Sequence, residues 1–225
     1  MTRRLLSLAA LLSLAPAAIG QTDYAVSVSA TASAPASTYA GLYATDGGMI
    51  EVRAAGADIV LLAHGAPVAA RLASLAPVDP VTDARAETLL DAWTRGDFAP
   101  FVAAARPTQR GTMERTLAAY HAALVRGHGD AVAGRVIGTF TQVDGRRVTL
   151  VQMVFERAAE WAAFVWDESG ALVTVHRGLP PVEVGSARAT GADAFAASGT
   201  PVQFEREPDG RVHAVRVGQR LTAVR

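Results

Sequence analysis

The chain has 225 residues, no cysteine, and 21 basic residues balanced by 21 acidic ones. Without cysteine it has neither disulfides nor thiolate metal sites, and its balanced charge gives no electrostatic reason to expect nucleic acid or an anionic membrane as partner. Every basic residue is arginine; the absence of lysine excludes a Ser-x-x-Lys nucleophile and a Gly-Lys-Ser/Thr phosphate loop.

The first residues read as an export signal. Met1-Thr2-Arg3-Arg4 is a short basic start, Leu5 to Ala18 is an apolar run broken only by Ser7, Ser13 and Pro16, and Ala18-Ile19-Gly20 offers small residues for a signal peptidase. The run is shorter than the ~20 apolar residues of a resident membrane helix, and no later run reaches that length. The expectation is a secreted or periplasmic protein with a signal peptide over residues 1–20 and no membrane span. No cysteine follows the run, which argues against a lipoprotein anchor. Loss of the signal removes Arg3 and Arg4, leaving about 205 residues, enough for one large domain or two small ones. Residues 21–38, rich in Ala, Ser and Thr, read as a linker.

From residue 39 the rhythm becomes short strands. Tyr39-Ala-Gly-Leu-Tyr43 is followed by Asp46-Gly47-Gly48, where glycine supplies the positive φ of a tight turn. Ile50, Val52 and Ala54 alternate with Glu51 and Arg53, the period of a half-buried strand. A turn at Ala55 to Asp58 leads into Ile59-Val60-Leu61-Leu62, and a turn at His64 to Pro67 leads to an expected short strand near Ala69 to Leu72.

Residues 78–178 change rhythm. Ala86, Leu89, Leu90 and Trp93 share one helical face, with Thr82 or Asp83 as cap and Gly96 as stop. Asp97 to Ala105 suggests a second, short helix. A third, capped by Thr112, carries Met113, Leu117, Tyr120 and Leu124 on one face and is stopped by Gly127 and Gly129. Four strands follow: Val132 to Val143, Arg147 to Glu156, Trp161 to Trp166, and Ala171 to His176. Residues 179–225 return to the first grammar. Val202 and Phe204 alternate with Gln203 and Glu205, Pro208-Asp209-Gly210 turns the chain, and Arg211 to Val217 and Leu221 to Val224 close it.

Neither flanking piece, 39–77 nor 179–225, is long enough to build a core alone, and each would leave open sheet edges. Pairing them closes one discontinuous barrel around the inserted middle. The motifs carry two resemblances. Tyr39-Ala-Gly-Leu-Tyr43 with its Gly turn, Phe204-Glu-Arg-Glu-Pro-Asp-Gly-Arg-Val212 and Leu221-Thr-Ala-Val-Arg225 resemble the lipocalin-like C-terminal domain of penicillin-binding-protein-like serine peptidases and beta-lactamase relatives. That resemblance implies an accessory domain without catalytic residues of its own. The order of three helices then four antiparallel strands, with Leu90-Asp-Ala-Trp-Thr-Arg-Gly-Asp-Phe98, resembles the NTF2-like cone. The fold expectation is therefore α+β: a small antiparallel lipocalin-like β-barrel, discontinuous, carrying an inserted NTF2-like α+β cone.

A cone of this kind often encloses a pocket, whose lining here would include Trp93, Tyr120, Phe140, Gln152, Glu156, Phe164, Thr174 and His176, beside the further aromatics Phe101, Phe155, Trp161 and Trp166; filled core is the competing role for each aromatic. Gln152 and Glu156 align on one strand, Thr174 and His176 on another, and Tyr120 and His121 offer acid–base groups on the third helix. The histidines, His64, His121, His128, His176 and His213, show no metal-ligand spacing, and no Gly-x-Ser-x-Gly elbow occurs. Two functions stay open. One is a non-catalytic extracytoplasmic accessory protein, with no cofactor or metal, that binds a small apolar ligand, a peptide or a protein partner. The other is an isomerase or hydratase working inside the cone.

Overall fold

The computed structural model describes residues 34–225 apart from Val143 and Arg220; the expected signal peptide and most of the linker lie outside the described residues. Three strands open the fold: β1 (Gly41–Thr45), β2 (Gly48–Ala55) and β3 (Asp58–His64). Alternation drives Ile50 and Val52 inward while Glu51 and Arg53 stay outside. Gly48 is required where it stands: its φ is +152°, and a Cβ there would collide with the His64 carbonyl oxygen.

The expected strand near Ala69 to Leu72 is instead helix α1 (Ala66–Leu72). Pro67 sits in its first turn, where a missing N–H costs nothing, and Val68, Ala69 and Leu72 are buried at helical spacing. Seven residues are too few for the sequence to separate a period of 2 from one of 3.6. The 3₁₀ turn Ala73–Leu75 follows, and then helices α2 (Pro80–Thr94), α3 (Ala99–Ala104) and α4 (Arg110–His128). Asp79, rather than Thr82 or Asp83, caps α2, accepting the Thr82 N–H at 3.1 Å. The third helix begins at Arg110, ahead of Thr112, and runs through Gly127 to Gly129.

A four-stranded antiparallel sheet comes next, β4 (Ala131–Thr141), β5 (Arg147–Phe155), β6 (Ala159–Trp166) and β7 (Leu172–Arg177), in that spatial order. The chain then re-enters the first sheet with β8 (Val182–Gly191), β9 (Ala194–Ala197), β10 (Thr200–Arg206), β11 (Val212–Val217) and β12 (Leu221–Val224). Strand β8 was not singled out by the sequence, because its Ser, Arg and Gly residues mask the alternation of Val182 and Val184.

These eight strands close an antiparallel barrel in the order β1-β12-β11-β10-β9-β8-β3-β2. Two seams join the ends of the chain: β1 pairs with β12 through Ala44 and Val224, and β3 pairs with β8 from Ile59 to Ala63. Closure removes the open edges that either piece would have presented alone. Tyr39, Tyr43, Phe195 and Phe204 occupy the interior, with Tyr39 and Phe204 ring centroids 4.5 Å apart and Tyr39 and Phe195 at 5.1 Å. An eight-stranded barrel is just wide enough for side chains to fill.

The second sheet is buried on both faces. Phe140, Val148, Leu150, Ala163 and Val165 join the same apolar cluster as the barrel and α1. Val151, Met153, Phe155, Ala162, Phe164 and Trp166 cluster instead with the helices. Barrel and helix–sheet layer thus belong to one compact unit. The fold is α+β, and among the described residues no helix is long and apolar enough to cross a membrane.

Candidate functional site

The helix–sheet layer was the expected pocket. Helix α2 lays Ala86, Leu89, Leu90 and Trp93 on the sheet, α3 adds Phe101, and α4 adds Met113, Leu117 and Leu124. Gly134 of β4 lets α2 approach closely: a Cβ there would lie 2.9 Å from that of Leu90. A hydrogen-bonded chain pins the helix start. Trp166 Nε1 donates to Thr149 Oγ1 at 2.9 Å, and Thr139 Oγ1 lies 2.7 Å from both Thr149 Oγ1 and an Asp83 carboxylate oxygen. The carboxylate only accepts, so Thr139 donates to Asp83 and Thr149 to Thr139, which satisfies every member. Trp93 sits in the centre, its ring 5.1 to 6.1 Å from those of His121, Tyr120, Phe98 and Phe101.

The eight expected lining residues fall on opposite faces of the sheet. Trp93 and Phe164 are buried on the helix side, with Tyr120 partly buried beside them. Phe140 is buried on the barrel side. Cross-strand partners share a face, so Gln152 (opposite Trp161), Thr174 (opposite Val165) and His176 (opposite Ala163) also belong to the barrel-facing side. Glu156 is exposed just past β5. Strand parity was readable in the sequence, but the direction of each parity was not, because both faces of this sheet are apolar.

One polar group of atoms lies within the layer. Trp93 Nε1, Tyr120 Oη and His121 Nε2 are buried and without a hydrogen-bond partner among the described residues. Burial raises the Tyr120 pKa, with the nearby Glu160 carboxylate adding to it. Burial lowers that of His121, against a hydrogen bond to the Trp93 backbone. Both groups are thereby held neutral at pH 7. Near the end of α4, Glu160 accepts from Arg177 at 3.2 Å and lies 3.0 Å from His128 Nε2. No three His, Asp or Glu side chains gather as a metal site among the described residues.

Hollows also stand apart from this layer, among them one of about 640 Å³ beside Gln203, Arg216 and Thr222 on the barrel and two further ones. A trough of about 600 Å³ on the barrel carries Glu207, Asp209, Arg211, His213 and Arg225. Its charges largely engage one another or the backbone: Arg211 donates to Glu207 at 2.8 Å and to Asp209 at 2.6 Å, and Arg225 donates to the Ala40 carbonyl at 2.9 Å. The other, about 320 Å³, lies at the seam of barrel and sheet, where Leu75 and Pro77 meet Gln142, Glu183 and Ser198. Nothing in the sequence singled these seam residues out, since they come from separate stretches of chain that only the closed topology brings together. Compared with known proteins, the chain matches no family model, no curated protein and no solved structure.

Proposed function

We propose that the protein is a non-catalytic, extracytoplasmic accessory protein that binds through its surface and seams. One observation carries this reading: Gln152, Thr174 and His176 lie on the barrel-facing side of a two-sided sheet while Tyr120 and His121 lie on its helix side, so the two sets cannot act on one substrate. Aromatic side chains occupy the barrel interior, which argues against an apolar ligand there and in favour of a partner outside it. The closed antiparallel barrel is compatible with the lipocalin-like accessory resemblance, and three helices on a four-stranded sheet with the NTF2-like one. The basic, apolar N-terminus supports export. Purified protein should leave a chromogenic β-lactam and a peptide ester unhydrolysed; turnover above the buffer rate overturns the reading.

The second reading, an isomerase or hydratase, is favoured by the unpartnered Trp93, Tyr120 and His121 atoms. It requires the layer to open and admit a substrate. Catalysed α-proton exchange on a small cyclic ketone, lost in Tyr120→Phe, would establish it in place of the first.

A further inference from the structure

The helix layer leaves three buried polar atoms unmet around one indole. Trp93 Nε1, Tyr120 Oη and His121 Nε2 make no hydrogen bond among the described residues. The Tyr120 and His121 rings lie 5.4 and 5.1 Å from that of Trp93. An unmet buried polar group is costly, and water satisfies it on exposure. Closure of the layer is therefore opposed at three atoms in one place.

His121 is the one of the three that changes charge near neutral pH. It hydrogen-bonds the Trp93 backbone. Since Nε2 is the unmet nitrogen, the bonded one is Nδ1, which donates because a carbonyl only accepts. Nε2 thus carries a lone pair in an apolar cage. Phe98 completes the cage: its ring stands edge-on to those of His121, at 5.6 Å, and Trp93, at 5.7 Å. Phe98 belongs to the short connection between α2 and α3, where Arg95, Gly96 and Asp97 are exposed, so the cover is thin.

The other histidines differ. His64 Nε2 lies 2.7 Å from Glu51, His128 Nε2 3.0 Å from Glu160 and His213 Nε2 4.0 Å from Glu205. A proton on any of these three meets a carboxylate. His176 is exposed and meets water. Around His121 the rings of Trp93 on α2 and Phe98 on the connection carry no charge. Its neighbour Tyr120 is held neutral by burial. The Asp130 carboxylate, past the end of α4, acts on His121 only electrostatically. A second proton on this ring has water alone to turn to, and water reaches Nε2 when Phe98 lifts.

We propose that the Phe98–His121 contact is an acid-released latch: protonation of His121 opens the helix layer at the α2–α3 connection. The open layer takes the proton near the ordinary histidine value of about 6.5, and the closed layer only at a lower pH. The closed form is fully favoured above about pH 6.5. Below that it loses up to about ten-fold per pH unit, until the closed form also protonates.

The test is histidine Cε1 NMR and amide hydrogen exchange on the full chain, corrected for intrinsic rates. His121→Phe assigns the His121 resonance, which should titrate below the ordinary value. Protection of amides 96–98 and 118–124 should fall up to about ten-fold between about pH 6.5 and 5.5. The fall should vanish in His121→Phe and persist in His128→Gln. Phe98→Ala strips the cover, so it should return the His121 titration toward about 6.5. If His121→Phe fails to fold, the wild-type and Phe98→Ala titrations decide. An ordinary or raised titration of His121 in the wild type, protection that acid leaves unchanged, or the same fall in His121→Phe overturns the proposal.

Discussion

The Tyr39 hydroxyl donates to Asp193 Oδ1 at 2.9 Å, across 154 positions of sequence. Arg206 donates to the same carboxylate through Nε at 2.8 Å and lies over the Tyr39 ring, 5.6 Å from its centroid. Tyr39 in turn accepts the Tyr43 hydroxyl on its carbonyl at 2.6 Å. The clasp joins the segment leading into β1 to the β8–β9 turn and the end of β10. It therefore fastens the N-terminal part of the barrel to the C-terminal part by side chains, in addition to the β1–β12 and β3–β8 ladders. Tyr39→Phe should cost about 1 kcal/mol and Asp193→Ala about 1.5–3 kcal/mol, read from urea unfolding. The double mutant should cost less than the sum of its parts.

The same clasp makes stability depend on acid. Arg206 holds the Asp193 carboxyl below the usual carboxylate range, against the opposing effect of burial and with help from Tyr39. A depressed native pKa contributes stability that is fully present above the unfolded value of about 3.9 and is lost as pH falls through the native value. The urea midpoints of wild type and Asp193→Asn should differ most at neutral pH and converge below pH 4. A constant gap down to pH 2 would show that the carboxylate charge is not the cause. Asn tolerates the left-handed backbone at this position, φ +56°, so the substitution isolates charge from conformation.

Thr149→Val removes the middle of the Trp166–Thr149–Thr139–Asp83 chain while keeping the side-chain shape. Trp166 Nε1 would lose its acceptor and Thr139 would lose the donor it accepts from. Unfolding should become easier by about 1–3 kcal/mol, and the near-UV circular dichroism of the buried indole should change. Loss of stability with Thr139→Val in the same background should be less than additive.

Gly48→Ala should be among the most damaging single-methyl additions. The new Cβ meets backbone, the His64 carbonyl, rather than a side chain that can turn aside. Relief requires the β2–β3 ladder to shift, so the expected loss is more than about 3 kcal/mol or failure to fold. Gly56→Ala provides the comparison, since a Cβ there meets nothing within 4 Å and only its φ of +67° is strained.

The proposed export signal makes a prediction of mass. Expressed with its native N-terminus in a bacterium, the protein should be recovered from the periplasm lacking residues 1–20, as read by intact mass. Recovery of the unprocessed chain from the cytoplasm would refute it.

Local chemistry made much of the fold legible. The alternation of Ile50 and Val52 and of Val202 and Phe204 reads as strand because a half-buried strand imposes it, and Ala86, Leu89, Leu90 and Trp93 read as helix for the matching reason. The α1 segment reads as strand in the sequence because it is shorter than two helical turns. The candidate site was less legible. Phe140 and Phe164 look alike in sequence, yet they bury on opposite faces of one sheet, since both faces are apolar and parity carries no sign.

By itself the sequence determined the strand and helix segments other than α1 and β8, the absence of cysteine and lysine chemistry, and the two-piece barrel grammar, because each follows from neighbouring residues or from composition. Only the tertiary structure decided which sheet face meets the barrel, that Tyr39 clasps Asp193, and that Gln142, Glu183 and Ser198 line one seam. Those relations depend on how closed ladders bring distant segments into contact, and no local period encodes that.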